Sequence, residues 1–278
     1  VVVSDRAASR TAFGTAYMRA AHQLLDAPHL ILDDPAILPL LGHQAVERIE
    51  GDPAAFETAE RRALRAHVVL RSRFAEDRLA ESVARGVTQY VLLGAGLDTF
   101  AFRQPEWAWS LRITEVDQPA SQAAKRALID QAGWTVPGNL TLAPVDFEHE
   151  TLADALARHG VTTAEPTFFS WLGVTMYLNE AAIDAVLATV AAYPVGSELV
   201  LTFARADGPR SPFEDRAAEA GEPWLSHFTL DSMAAKLSSH GFAQITFLDA
   251  AEAEARYFAP AGGSLPVPRR TSIVSARV

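Results

Sequence analysis

Two glycines, three carboxylates and the lack of any thiol bound the chemistry open to this chain. Gly94 and Gly96 in "VLLGAGLDTF", with Ala95 between them, follow an apolar run and carry no side chain that would hold a ligand off the backbone. Asp117 closes "ITEVDQP", where Glu115 also stands and Gln118 follows, and Asp146 closes "LAPVDFEHE". An acid at the end of the second strand of a nucleotide-binding sheet can hold both ribose hydroxyls with its two oxygens, which points to an adenosine-containing ligand without saying which. Asp146 is placed to accept from the adenine amino group, and Phe147 to lie against the ring. A dinucleotide fingerprint wants a third glycine where this chain has Thr99, and Asp98 would bring negative charge toward a pyrophosphate. Three acids without a phosphate cradle suit an adenosyl sulfonium, so S-adenosylmethionine fits better than NAD.

These residues need strand ends to hold them. Strand patterns cover Gln89–Leu93, Leu111–Val116, Leu140–Val145, Thr167–Trp171, Glu198–Phe203, Gln244–Leu248 and Thr271–Ala276, and helical ones Pro119–Gln131, Thr151–His159, Glu180–Ala192, Leu230–His240 and, weakly, Ala250–Phe258. Strands separated by helices of this length build right-handed βαβ units. The predicted fold is α/β and Rossmann-like, a seven-stranded, mostly parallel sheet with its last strand antiparallel. Residues 1–87 read as a helical cap or lid without strands, and 88–278 as the ligand-binding domain. Within the latter, "RADGPRSPFEDRAAEAGEPWLSHF" (205–228) is an insertion long enough to imply a role in the site.

Composition excludes several classes. A net charge of −10 repels a phosphate backbone, so no nucleic-acid partner is expected, and Arg269-Arg270 is too short to change that. Without cysteine there are no disulfides, thiolate metal sites or thiol nucleophiles. The histidines show no zinc spacing, so no metal is expected. Gly-x-Ser-x-Gly is absent, which removes the hydrolase elbow, as is the Tyr-x-x-x-Lys pair of many nicotinamide oxidoreductases. No apolar run approaches a membrane span, and the expected location is the cytoplasm. Asp33-Asp34-Pro35 reads as a turn. Glu148 and Glu150 read as acids favoured at a helix start.

The stretches "RSRFAEDRLAESVARGVTQYVLLGAGLDTFAFR", "EVDQPASQAAKR", "PVDFE", "FFSWLGVTMYLNEAAI" and "GEPWLSHF" resemble bacterial S-adenosylmethionine-dependent methyltransferases related to leucine carboxyl methyltransferase, a group that includes polyketide carboxyl methyltransferases. The resemblance covers nearly the whole chain. It implies that an arginine of "RSRF", Arg71 or Arg73, takes the methionyl carboxylate of the cofactor. Gly94 and Gly96 would lie beneath the methionyl part, Asp117 would take the ribose, and Asp146 with Phe147 would frame the adenine. Gln118 and Trp171, at the ends of their strands, complete the expected cofactor set. Leu172 departs from the glutamate that relatives often carry after the fourth strand.

Methyl transfer is an in-line displacement at a carbon already activated, so a protein mainly aligns donor and acceptor and excludes water. A carboxylate acceptor needs no base, whereas a hydroxyl or carbon acceptor does. Candidates for that base, or for orienting the acceptor, are His227, Tyr177 and Tyr257, with His227 favoured because it stands beside Trp224 and Phe228 in the insertion. Phe213 there, with Phe13, Tyr17 and Phe56 of the cap, suggests a flat small-molecule acceptor. The expected function is O-methylation of a natural-product-like carboxylate or hydroxyl. The alternatives are C-methylation of an indole-type acceptor, a nicotinamide oxidoreductase, and a non-catalytic module that binds S-adenosylmethionine.

Overall fold

The computed structural model describes residues 9–147, 149–208, 212–263 and 265–278. Glu148 falls outside them. Three strands form the middle of the sheet: β1 (Gln89–Leu93), β4 (Thr167–Trp171) and β5 (Glu198–Thr202), each buried along its full length, as parallel strands covered on both faces must be. With β2 (Arg112–Asp117), β3 (Leu140–Pro144), β6 (Ala243–Phe247) and β7 (Ile273–Arg277) they make a seven-stranded sheet in the order β3-β2-β1-β4-β5-β7-β6. The first five strands are parallel. β7 runs antiparallel to both β5 and β6. The fold is therefore the Rossmann-like one expected, with β6 and its exposed residues at the edge.

Alternation along the strands divides the core. Tyr90 and Leu92 of β1 join Ile113, Phe168 and Val200 on one face, while Val91 and Leu93 join Val116, Phe169 and Leu201 on the other. The first face is covered largely by the amino-terminal helices α1 (Arg10–Leu25), α2 (Ile37–Leu41), α3 (His43–Gly51) and α4 (Ala59–Ala84). Leu70, Phe74 and Leu79 of α4 belong to the same buried cluster as Tyr90 and Phe168, so these helices share the sheet's core. The helices α5 (Pro119–Gln131), α6 (Leu152–Arg158), α7 (Glu180–Ala191), α8 (Pro212–Glu219) and α9 (Leu230–Ser239) follow. α5 occupies the range its sequence signals set and α7 ends one residue short of its own, with Pro119 at the first turn of one and Asn179 accepting from the Ala182 N–H at 2.9 Å in the other. α8 is a helix inside the insertion, where the sequence reads as a break. Ala250–Ala253 continues through a π-helical turn, Glu254–Phe258, into Ala259–Ala261.

Strand order reverses between β1 and β4, whose carboxyl ends diverge into separate loops. An open α/β sheet binds its ligands in the crevice at that point.

Candidate functional site

One cavity of 2570 Å³ opens above this crevice, several times the volume of about 300–1,000 Å³ that holds a drug-sized ligand. Its floor is the row of strand ends. Gly94 and Ala95 both donate their N–H to the Val116 carbonyl, at 2.8 and 3.1 Å, which keeps the glycine loop tied to β2 after β1 has ended. Gly94 has φ of +69°, and a Cβ there would strike the Val174 side chain. Gly96 turns its N–H onto Asp117 Oδ2 at 2.6 Å, and the Gln118 N–H reaches Oδ1 at 2.7 Å. Both carboxylate oxygens are thus aimed, and each keeps lone pairs for a ligand. Burial pushes the Asp117 carboxyl up, and the two backbone donors work against it.

Glu115 lies on the same face of β2, one pleat deeper, and pairs with Lys125 of α5. Both side chains are fully buried and neither lines the cavity. Burial lifts the Glu115 carboxyl to about 7 in spite of that lysine. Of the two acids in "ITEVDQP", only Asp117 faces ligand space. Asp146 and Phe147 line the cavity from its rim, each about half exposed, and Asp146 Oδ2 bonds His149 Nδ1 at 2.8 Å. Gln118 lines the same end, and Trp171, 2% exposed, closes it from β4. Leu172 also faces the cavity.

Arg71 and Arg73 separate cleanly. Two residues on a helix point to nearly opposite sides, and Arg73 faces outward, its side chain 45% exposed and paired with Asp77 at 2.9 Å. It does not line the cavity. Arg71 does, and among the described residues its guanidinium meets no hydrogen-bond acceptor or carboxylate; its Nε is buried without any partner. Burial lowers its pKa to about 10, Tyr177 working against that and Arg19 adding to it. Gly173, at φ +75°, makes the room, since a Cβ there would stand 2.5 Å from Arg71 Nη1. A buried cation without a counter-charge is costly, so this geometry is built for an anion.

The proposed acceptor-side residues divide as well. Tyr177 lines the cavity from a 3-10 turn, Thr175–Tyr177, after β4. The Leu225 and Ser226 N–H groups both donate to the Met176 carbonyl, at 2.6 and 3.3 Å, which brings the insertion against this turn and His227 onto the same wall. His227 Nε2 is 3.4 Å from Glu214 Oε1 of α8, and Trp224 beside it has a buried indole N–H that meets no partner among the described residues. Tyr257 is the exception. It lies in the π-helical turn under the Arg256 guanidinium, buried in the core and away from the cavity, where burial pushes its phenol well up, so it cannot touch a methyl acceptor. Phe13 and Phe228 likewise pack outside the cavity, Phe228 edge-on to Phe203 at 6.4 Å, whereas Tyr17, Phe56 and Phe213 line it.

Three features were not anticipated. His67 lines the cavity one turn before Arg71; burial, with help from Arg71, lowers its pKa to about 3 and keeps it neutral. Its four-residue spacing from Arg71 was the available signal. Asp34, fully buried, bonds Arg19 Nη1 at 2.8 Å, Thr99 Oγ1 at 2.6 Å and Arg103 Nε at 3.1 Å. The acid of a turn thus becomes the tie between α1 and the glycine loop, and Thr99 serves it in the place of a third glycine. Finally, Glu222 of the insertion accepts from the N–H groups of Arg10 and Thr11 at 3.1 and 3.3 Å, from Ser9 Oγ, and from Thr11 Oγ1, so one carboxylate clasps the start of α1.

Among the described residues, no three His, Asp or Glu side chains gather as metal ligands would, and no helix is long and apolar enough to cross a membrane. Comparison with known proteins converges on one family. The leucine carboxyl methyltransferase model matches residues 12–191, more than half of the chain. YktD of Bacillus subtilis (strain 168), named for S-adenosyl-L-methionine-dependent methyl transfer, is 32% identical over 262 residues, 84% of this chain and 86% of its own. FRAAL3718 of Frankia alni, named likewise, is 34% identical over 80% of this chain and 78% of its own. Among solved structures, a DUF574 protein of Streptomyces avermitilis superposes with a TM-score of 0.57 at 16% identity, covering 98% of this chain and 97% of that one. A Thermobifida fusca structure described as a methyltransferase does so at 0.55 and 18%, covering 86% and 91%. Family model and relatives agree, and the strand order is consistent with them: the chain belongs to the leucine carboxyl methyltransferase family and is an S-adenosylmethionine-dependent methyltransferase.

Proposed function

We propose that the protein methylates an oxygen of a flat aromatic small molecule, a carboxylate or a hydroxyl. The observation that carries this is that one cavity is lined both by Asp117, Asp146 and Arg71 and by Tyr177, Tyr17, Phe56, Phe213 and Trp224. The cofactor supplies a methyl group activated by its sulfonium. Arg71 holds the methionyl carboxylate, Asp117 accepts from the ribose hydroxyls, and Asp146 with Phe147 borders the adenine. Gly94, Ala95 and Gly96 form the bare floor between them, and Gln118 and Trp171 border it.

At the acceptor end the apolar rings exclude water and fix the plane of the substrate. A carboxylate acceptor arrives ionised and needs only Tyr177 to orient it. A hydroxyl acceptor gives its proton to the His227 imidazole as its oxygen takes the methyl, and Glu214 stabilises the resulting imidazolium. Incubation with S-adenosylmethionine and a panel of aromatic acids and phenols tests this. The expected product carries one added methyl on oxygen, with S-adenosylhomocysteine formed in equal amount. His227→Ala should lower kcat for phenols and spare the acids, and a product methylated only on carbon would refute the reading.

The Asp117 role makes a separate prediction. Asp117→Ala should cost at least about 1.5–3 kcal/mol of S-adenosylhomocysteine affinity, roughly ten- to a hundred-fold, by calorimetric titration. Because the folded carboxyl titrates above its ordinary value, affinity of the unaltered protein should decline on acidification earlier than an unperturbed aspartate would allow. Affinity flat across that range, or unchanged in the variant, would remove Asp117 from the site.

A further inference from the structure

The stripe of α4 that faces the cavity reads Arg71, His67, Leu64, Arg61 toward the helix start. At 1.5 Å of rise per residue, Arg61 lies about 15 Å from Arg71 along the axis. The stripe begins at the cofactor's anion site and ends at the mouth of the acceptor half. There, Arg61 lies 5.3 Å over the Phe56 ring and Arg48 of α3 lies 5.7 Å over the Tyr17 ring. Both guanidiniums line the cavity, both are held by an aromatic face, and among the described residues neither meets a carboxylate. Arg216, which also lines the cavity, is already paired with Glu60, the residue before Arg61, at 2.6 Å. The two insertion acids that line the cavity are turned elsewhere, Glu222 to α1 and Glu214 toward His227. Between the two cationic ends stand Leu64 and His67, and His67 is uncharged at any physiological pH. In a chain of net charge −10, positive charge is thus collected at the outer end of the acceptor half.

We propose that Arg48 and Arg61 form an anion-recognition subsite at the cavity mouth, and that the methyl acceptor is a flat molecule bearing an acidic group on the end remote from the methylated oxygen. This rests on the acceptor occupying the aromatic half of the cavity. A guanidinium stacked on a ring keeps its edge for an anion while losing little freedom on binding, and an aromatic acid offers both the plane and the charge.

The probes are 1-anilinonaphthalene-8-sulfonate, flat and anionic, and N-phenyl-1-naphthylamine, its neutral counterpart, titrated by fluorescence into protein saturated with S-adenosylhomocysteine. The sulfonate should bind at least ten-fold more tightly than the amine and weaken with added salt. Arg48→Gln/Arg61→Gln should remove about ten-fold from the sulfonate alone and leave the amine and S-adenosylhomocysteine unchanged. Should the double variant no longer hold S-adenosylhomocysteine, Arg48→Gln alone, at an exposed position, is expected to cost the sulfonate at least three-fold. Equal affinity for the two probes, or variants that bind the sulfonate as before, overturns the subsite. Failure of the unaltered protein to bind S-adenosylhomocysteine would instead strike the underlying reading of the cavity.

Discussion

Arg71→Gln is expected to weaken S-adenosylhomocysteine binding by about 2–5 kcal/mol, from thirty-fold to several thousand-fold, while making the ligand-free protein more stable to heat. The two signs have one cause. In the free protein the guanidinium is buried and, among the described residues, has no acceptor for its Nε and no carboxylate beside it, and it lies deep enough for its pKa to fall to about 10. That arrangement costs stability until an anion arrives. A neutral amide of similar reach removes both the cost and the charge-assisted pair that the cofactor carboxylate would form. Lysine should not rescue binding, because a point charge cannot reproduce two parallel donors. Arg73→Gln is the control: its side chain already has Asp77 and faces away from the cavity, so affinity should stay put. Calorimetric titration and a melting curve of the free chain decide the matter. An Arg71 variant that binds normally would mean that another cation holds the carboxylate.

Asp34→Ala is expected to destabilise the fold by about 3–5 kcal/mol, the range for removing one member of a buried ionic network. Arg19 and Arg103 would both lose their shared carboxylate, and the Thr99 hydroxyl would lose its acceptor. Arg103 retains Glu76, so the exposed deficit falls chiefly on Arg19, which is 6% exposed. A protein of this size should melt roughly ten degrees lower. Asp34→Ala/Arg19→Met should recover much of the loss, because the stranded cation goes too. Thermal melts of both variants test it, and a single variant that melts like the parent would mean that the network carries no net stability.

How much of this was legible beforehand depends on the kind of residue pattern. Short strands rich in aromatic and aliphatic residues, such as "QYVLL" and "TFFSW", mark themselves, because both faces of a parallel sheet are covered. The ligand loop was equally plain, since Gly94 and Asp117 sit at strand ends that any parallel order brings together. What one sequence could not decide was direction. "RSR" puts an arginine on either side of a helix, and only the packing of α4 on the sheet selects Arg71. Glu115 and Asp117 share a face of β2, and it is the lid of α5 over the deeper position that sets them apart. Tyr257 and Phe228 are aromatic residues near plausible loops, and composition does not distinguish a core ring from a ligand ring. Asp34 read as a turn because its partners, Arg19, Thr99 and Arg103, are scattered over 85 positions of the chain. Glu222 offered no signal at all, since a carboxylate that serves a distant helix start has no local pattern.

That last contact bears on how acceptor preference can change. The floor of the cavity belongs to the strand ends, where the proposed cofactor site lies. The roof comes from two pieces more than 200 positions apart, the start of α1 and the segment around Glu222, fastened by a single carboxylate to Ser9, Arg10 and Thr11. Such a roof behaves as an interchangeable pair. A chimaera that imports both pieces from a relative should carry that relative's acceptor onto this floor, whereas one that imports either piece alone parts the clasp and leaves the acceptor half unroofed.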